Sequence, residues 1–119
     1  MCKGVGIDLC RISRFEDEQQ REKIILRYYA PEEQEYIRQK GRGQAQSCAG
    51  IFAAKEAVLK AMGTGITCAL QEVVILHHPA GQPYVQLIGE AAALAGGGTW
   101  QLSITHEGDM AAAIAVWSE

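Results

Sequence analysis

Apolar and polar residues alternate one by one at the start of the chain, where Val5, Ile7 and Leu9 are interleaved with Gly4, Gly6 and Asp8. That is the period of a β-strand, and it sets Asp8 on the face opposite the apolar one, beside two glycines that leave room around it. From Arg11 to about Tyr29 the period becomes helical but polar-rich, with Ile12, Phe15, Ile24, Ile25 and Tyr28 as anchors. Pro31, with Glu32, Glu33 and Glu35 behind it, predicts a fresh helix ending near Gly41, and Gly41-Arg42-Gly43 is the turn. Residues 44–62 carry the strongest helical pattern, through Cys48, Ile51, Phe52, Leu59 and Met62, with Gly63 as the C-terminal cap. Glu72–His77 and Tyr84–Ile88 then read as strands, and a short alanine-rich helix spans about Glu90–Ala95 until Gly96-Gly97-Gly98 stops it. Trp100–His106 and Met110–Trp117 form a hairpin around Glu107-Gly108-Asp109. One strand, several helices and then mostly strands predict an α+β fold with an antiparallel sheet and a long central helix.

A length of 119 residues predicts one domain, residues 1–119, able to bury a core without disulfides or metals. With 48% hydrophobic and 21% charged residues, the composition excludes disorder. No apolar run reaches the roughly 20 residues that span a bilayer, so no membrane partner is expected. The opening residues lack the apolar stretch of a signal peptide, and the expected location is cytoplasmic. A net charge of −3 argues against nucleic-acid binding, but the distribution says more than the sum. All 11 Lys and Arg lie in residues 1–60, against nine acids, while residues 61–119 hold five acids and no base. An anion gripped by side-chain charge must therefore be gripped by the first half of the chain. Cys2, Cys10, Cys48 and Cys68 show no metal-ligand spacing and read as reduced, packed thiols.

Familiar catalytic templates fail. Gly63-Thr64-Gly65 is not followed by the Gly-Lys-Ser/Thr of a phosphate loop, and Gly4-Val5-Gly6 precedes a strand's core instead of following it. Ser103, His106 and Asp109 suggest a triad, but an odd offset on a strand puts Ser103 and His106 on opposite faces. What is left is Asp8 at a strand end and a helix carrying Lys55, Glu56 and Lys60. Glu56 and Lys60 stand i, i+4 and share a face, which suits an ordinary surface ion pair. Two carboxylates from separate elements also suit Mg²⁺, with Lys60 to neutralise phosphate. Periodicity leaves both readings open.

These residues carry a resemblance. Val5-Gly6-Ile7-Asp8-Leu9, Ile12-Ser13-Arg14-Phe15 and the block from Phe52 through Lys55-Glu56, Lys60 and Gly63-Thr64-Gly65 are similar to the signatures of holo-acyl-carrier-protein synthases, the short phosphopantetheinyl transferases. Gly81-Gln82-Pro83 and Leu102-Ser103-Ile104-Thr105-His106 continue the match in register over nearly the whole chain. The resemblance implies a homotrimer with active sites between subunits, Mg²⁺, coenzyme A and an acidic acyl carrier protein. It implies transfer of 4′-phosphopantetheine from coenzyme A to a carrier serine, releasing adenosine 3′,5′-bisphosphate.

Carried over by position, Asp8 and Glu56 are the expected metal ligands, and Asp8, Glu56, Lys60 and His106 the catalytic set. Lys55, Lys60, Gly63, Thr64, Gln82, Pro83 and His106 are expected to border the coenzyme, His106 from this or a neighbouring subunit. Arg14 and Arg21, on the first helix, would face the carrier protein. A metal-held water, Glu56 and His106 are three candidate bases for the serine proton. Three departures stand out: Cys10 where larger relatives carry a third acid, Ile51 where many have arginine, and Gln82 in place of a common lysine. The last two thin the charge available to the coenzyme 3′-phosphate, leaving Lys40, Arg42 and His106, so dephospho-coenzyme A is expected to be tolerated. The alternative is a non-catalytic module of the same fold that docks a carrier protein or nucleotide. A cysteine-dependent enzyme has no supporting arrangement.

Overall fold

A computed structural model describes residues 1–63 and 69–119. Helix α3 (Gln44–Met62) runs through the middle, and 13 of its 19 residues are buried. Lys55 lies on a stretch of this helix that packing closes in completely, so its charge has to be paired inside the protein. On one side of α3 lies an antiparallel sheet in the order β1 (Cys2–Arg11), β5 (Met110–Ser118), β4 (Thr99–Glu107). On another lies the hairpin of β2 (Val73–His77) and β3 (Pro83–Leu87). Helices α1 (Glu18–Tyr28) and α2 (Pro31–Arg38) precede α3, and α4 (Gly89–Ala95) links the hairpin to β4. The expected α+β fold, long helix and closing hairpin are all present. Gly63 caps α3 in the left-handed conformation (φ +70°), as its position predicts.

The first strand packs by its small residues. A Cβ on Gly6 would stand 1.8 Å from the Ala57 carbonyl oxygen, and one on Gly4 would stand 1.9 Å from that of Ala61. The glycines therefore serve direct contact between β1 and the backbone of α3. Ala111, Ala113 and Ala115 of β5 and Ala53, Ala57 and Ala61 of α3 are buried in the same narrow interface. The large apolar residues of β1 point the other way: Val5, Ile7 and Leu9 are 57%, 65% and 63% exposed.

The expected helix from Arg11 to Tyr29 divides in two. Ile12–Phe15 is a 3₁₀ turn, and α1 begins only after Asp17, whose carboxylate accepts from the Gln20 N–H at 2.9 Å. Asp109 holds the start of that turn, accepting from the Ser13 N–H and hydroxyl, both at 2.8 Å. Periodicity cannot foresee this break, because the pinning carboxylate comes from the far end of the chain.

An ion pair joins α2, α3 and β2. Lys55 Nζ donates to Glu33 Oε1 at 2.7 Å and to the carbonyls of Leu70 (2.9 Å) and Val73 (2.8 Å). Glu33 also accepts from the Ala30 N–H on Oε1 and the Ile75 N–H on Oε2, each at 2.8 Å. Both side chains are fully buried. Burial pushes the Glu33 carboxyl up and the Lys55 ammonium down, and each partner's charge opposes the other's shift.

Removing one member strands the other. Lys55→Met is expected to cost about 3–5 kcal/mol, the usual penalty for an uncompensated buried charge, read as a drop in urea midpoint. Gly6→Ala is expected to cost about 1–3 kcal/mol by overpacking, since helix backbone, unlike a side chain, cannot turn aside.

Candidate functional site

The close contact of β1 with α3 brings two acids from distant parts of the sequence to one cleft. Asp8, Cys10, Arg11, Arg14, Phe52 and Glu56 line a hollow of about 580 Å³. Lys60, one turn beyond Glu56, donates to Asp8 Oδ1 at 2.9 Å and to the Ile7 carbonyl at 3.1 Å. The i, i+4 partner reading for Lys60 is thus replaced by a bond across to the strand. Lys60 is 55% exposed and Asp8 17%, so the ammonium covers the carboxylate while staying open to solvent. Glu56 is half-buried and its carboxyl is pushed up, first by burial and then by the Asp8 charge, with Lys60 and Arg14 pulling the other way. Asp8 and Glu56 therefore repel across the cleft. Such a pair suits a hard cation with oxygen ligands, which relieves the repulsion. No group of three or more His, Cys, Asp or Glu gathers among the described residues, so two protein carboxylates are what the cleft offers. Cys10 lines the same cleft with its thiol pushed up by burial, in keeping with a packed, neutral sulfur.

Arg14 lies along this cleft, its guanidinium 4.8 Å from the Phe52 ring centre and 5.5 Å from that of Phe15. The sequence expectation that it shares one helix with Arg21 fails, because Arg14 sits in the 3₁₀ turn and Arg21 in α1. Arg21 donates to the carbonyls of Phe15 (2.9 Å) and Glu16 (3.3 Å), satisfying the 3₁₀ turn. Its other nitrogen reaches Gln44 Oε1 at 3.4 Å.

A second cleft, of about 230 Å³, lies at the other end of α3 and is lined by Tyr36, Ser47, Ile51, His77, Pro83 and His106. His106 and Pro83 line this cleft together, a different one from that of Asp8 and Glu56. Gln82 is exposed in the turn between β2 and β3, where its carbonyl accepts from the His78 N–H at 2.9 Å. Gly63 ends α3, and Thr64 lies outside the described residues. Lys55 has to be reassigned. It was expected at the coenzyme, yet its ammonium is fully buried and all three of its hydrogen bonds go to Glu33, Leu70 and Val73. Its neighbours along the helix, Phe52, Ala54, Val58 and Leu59, are apolar, but the adjacent Glu56 and nearby Lys60 make the pattern compatible with either placement.

The triad is absent. Ser103 pairs opposite Ile114 and His106 opposite Ala111, which places them on opposite faces of β4. Asp109 is engaged with Ser13.

Residues 4–115 match the family described as the 4′-phosphopantetheinyl transferase superfamily. A holo-[acyl-carrier-protein] synthase of Treponema denticola is 38% identical over 120 residues, 98% of each chain. The crystal structure of holo-[acyl-carrier-protein] synthase from Neisseria meningitidis superimposes with a TM-score of 0.86 at 29% identity, covering 100% of both chains. The Helicobacter pylori enzyme of that name, in complex with coenzyme A, gives 0.83 at 30% identity over 96% of this chain and 99% of its own.

The raised Glu56 carboxyl makes a signed prediction. A carboxyl raised on folding favours the protonated form, so its contribution is most favourable below the unfolded pKa and is lost as pH rises through the folded one. Glu56→Gln is therefore expected to raise the thermal midpoint of the metal-free protein at about pH 7 while leaving it little changed near pH 4.

Proposed function

The chain belongs to the 4′-phosphopantetheinyl transferase superfamily, and on that premise we propose that it transfers the 4′-phosphopantetheine of coenzyme A to a serine of apo acyl carrier protein, releasing adenosine 3′,5′-bisphosphate. The observation that carries this reading is the convergence of Asp8, Glu56, Lys60 and Arg14 on and beside one cleft between β1 and α3. A docking module has no use for two repelling carboxylates, one of them clasped by an ammonium.

In the reaction, the serine oxygen bonds to the β-phosphorus of the pyrophosphate. The bond from that phosphorus to the bridging oxygen breaks, and the serine proton passes to a base. Lys60 stands in the last turn of α3, where the helix dipole is negative and would repel phosphate unaided. Its flexible ammonium can leave Asp8 for a phosphate oxygen and neutralise charge as the leaving group departs. In the metal-free cleft Glu56 has raised proton affinity, from burial and the Asp8 charge, a shift that a cation held by the same two carboxylates would reverse. Asp8 and Glu56 would hold Mg²⁺, which when bound supplies further charge withdrawal from the pyrophosphate. Arg14, exposed at the cleft's edge, is the side chain we assign to the acidic carrier protein. Arg21 supports it from behind by ordering the 3₁₀ turn.

Residues 1–119 are taken as one domain, since the buried cluster draws on every helix and both sheets. The outward apolar stripe, Val5, Ile7 and Leu9 with Ile114 at 41% exposed, supports a homotrimer closed through the β1–β5 face. A trimer would also let the His106 cleft of one subunit complete the Asp8 cleft of another. Among the described residues no helix is long and apolar enough to cross a membrane. Free thiols at Cys2, Cys10 and Cys48 support a reducing, cytoplasmic location.

Intact mass of an apo carrier protein after incubation with this protein, coenzyme A and Mg²⁺ tests the reading; no gain of phosphopantetheine overturns it. Asp8→Ala is expected to abolish turnover, a loss of several kcal/mol of transition-state stabilisation, with the fold intact by circular dichroism. Arg14→Glu is expected to raise KM for the carrier protein and leave KM for coenzyme A nearly unchanged. Ile7→Lys is expected to convert the trimer to monomers in light scattering.

A further inference from the structure

The turn that presents Arg14 has no cap of its own. Ile12–Phe15 is a single 3₁₀ turn of four residues, and Arg11, which precedes it, offers no side-chain bond to its first N–H groups. So short a turn is weak by itself, since 3₁₀ hydrogen bonds are poorly aligned. The missing cap comes from the other end of the chain. Asp109, in the turn between β4 and β5, stands just beyond the last β1–β5 pair, Arg11 with Met110. Its carbonyl accepts from the Ile12 N–H at 2.8 Å, which extends the ladder by one bond. Its carboxylate then takes both donors of Ser13, the N–H on Oδ1 and the hydroxyl on Oδ2. A side-chain oxygen that accepts the second N–H of a turn is the ordinary N-terminal cap, supplied here across the sheet.

The next residue is Arg14. Ile12 and Phe15, on either side of the Ser13-Arg14 pair, are buried, whereas Ser13, Arg14 and Asp109 are exposed. The apolar pair sets the depth of the turn, and the carboxylate sets its rotation, hence the direction in which Arg14 leaves the backbone. That direction carries the guanidinium over the Phe52 ring at the edge of the acidic cleft. Ser13 and Arg14 line that cleft and Asp109 does not, so Asp109 acts through them.

We propose that Asp109 is a positioning residue for recognition of the acidic carrier protein: by capping the 3₁₀ turn through Ser13, it aims Arg14 at that partner. The inference rests on the carrier assignment of Arg14 and deepens it. As a bare charge, a carboxylate beside a basic docking side chain would repel an acidic partner, and removing it would tighten binding. As a cap, its removal loosens Arg14 and weakens binding. The two roles differ in sign.

The experiment measures binding of apo acyl carrier protein by calorimetry, beside kcat and KM for carrier and coenzyme A in turnover. Asp109→Ala removes both acceptor oxygens, Asp109→Asn keeps an acceptor without the charge, and Ser13→Ala removes the hydroxyl bond alone. Asp109→Ala is expected to weaken carrier binding and raise its KM about tenfold, with kcat within about twofold and KM for coenzyme A unchanged. Asp109→Asn should recover most of the loss, and Ser13→Ala should show a smaller loss of the same kind. In an Arg14→Ala background, Asp109→Ala should add almost nothing, because both act through one side chain. Additive losses, tighter carrier binding in Asp109→Ala, an unchanged carrier KM, or an equal rise in KM for coenzyme A each overturn the proposal. The transfer reading fails separately: a protein that binds the carrier through Asp109 and Arg14 but modifies no serine keeps the positioning role and loses the reaction. One that modifies the carrier with no dependence on Asp109 does the reverse.

Discussion

The buried pair of Glu33 and Lys55 decides where α3 lies, and the chemistry depends on α3. Lys55 ties the middle of that helix to α2 through Glu33 and to the start of β2 through the Val73 carbonyl. Glu56 is the next residue, and Lys60 follows a turn later on the same rigid rod. The pair is not an efficient source of stability, because taking two charges out of water offsets much of their attraction. What it supplies is position. Every hydrogen-bonding proton of the ammonium and both carboxylate oxygens have partners, so a shift of α3 would break several bonds at once. Apolar packing alone penalises a small slide of one surface over another far less.

On its opposite side α3 is positioned by the absence of side chains. Gly4 and Gly6 let β1 lie on the helix backbone, and the alanines of β5 continue the narrow interface. Asp8, next along β1 on the same face, is thereby carried to the helix and into reach of Lys60. A wider interface built from leucine or valine would hold the carboxylates of Asp8 and Glu56 farther apart and weaken the repulsion between them. The same arrangement turns the large residues of β1 outward: the strand that presents Asp8 inward leaves Val5, Ile7 and Leu9 exposed on its other face.

The candidate residues are divided between two clefts at different places along α3. One holds the acids, with Lys60 clasping Asp8 at its edge; the other holds the stacked Tyr36 and His77 with His106. On the proposed transfer, coenzyme A is itself divided, with a pyrophosphate to be attacked and a nucleotide to be recognised, and two clefts of different charge would suit the two parts.

Much of this was legible in the sequence. Alternation gave β1 and the face of Asp8, helical spacing gave α3, and Gly63 gave its end. These features rest on interactions between residues near in sequence, where period and capping preference act directly. The motif block likewise named Asp8, Glu56 and Lys60 by position, and the odd offset between Ser103 and His106 excluded a triad. Three assignments needed the tertiary structure. Lys55 has the same neighbours in sequence whether it points to coenzyme or into the core, and only the approach of Glu33, 22 residues away, decides between them. Arg14 and Arg21 look like partners on one helix until Asp109, 96 residues from Ser13, pins the 3₁₀ turn that carries Arg14 ahead of the helix of Arg21. Asp109 itself reads as a turn residue in the chain, because what it caps is a segment that only the sheet brings opposite it. Local order follows from short-range preferences that the sequence displays, whereas the charge state and partner of a buried side chain follow from which distant groups the fold packs against it.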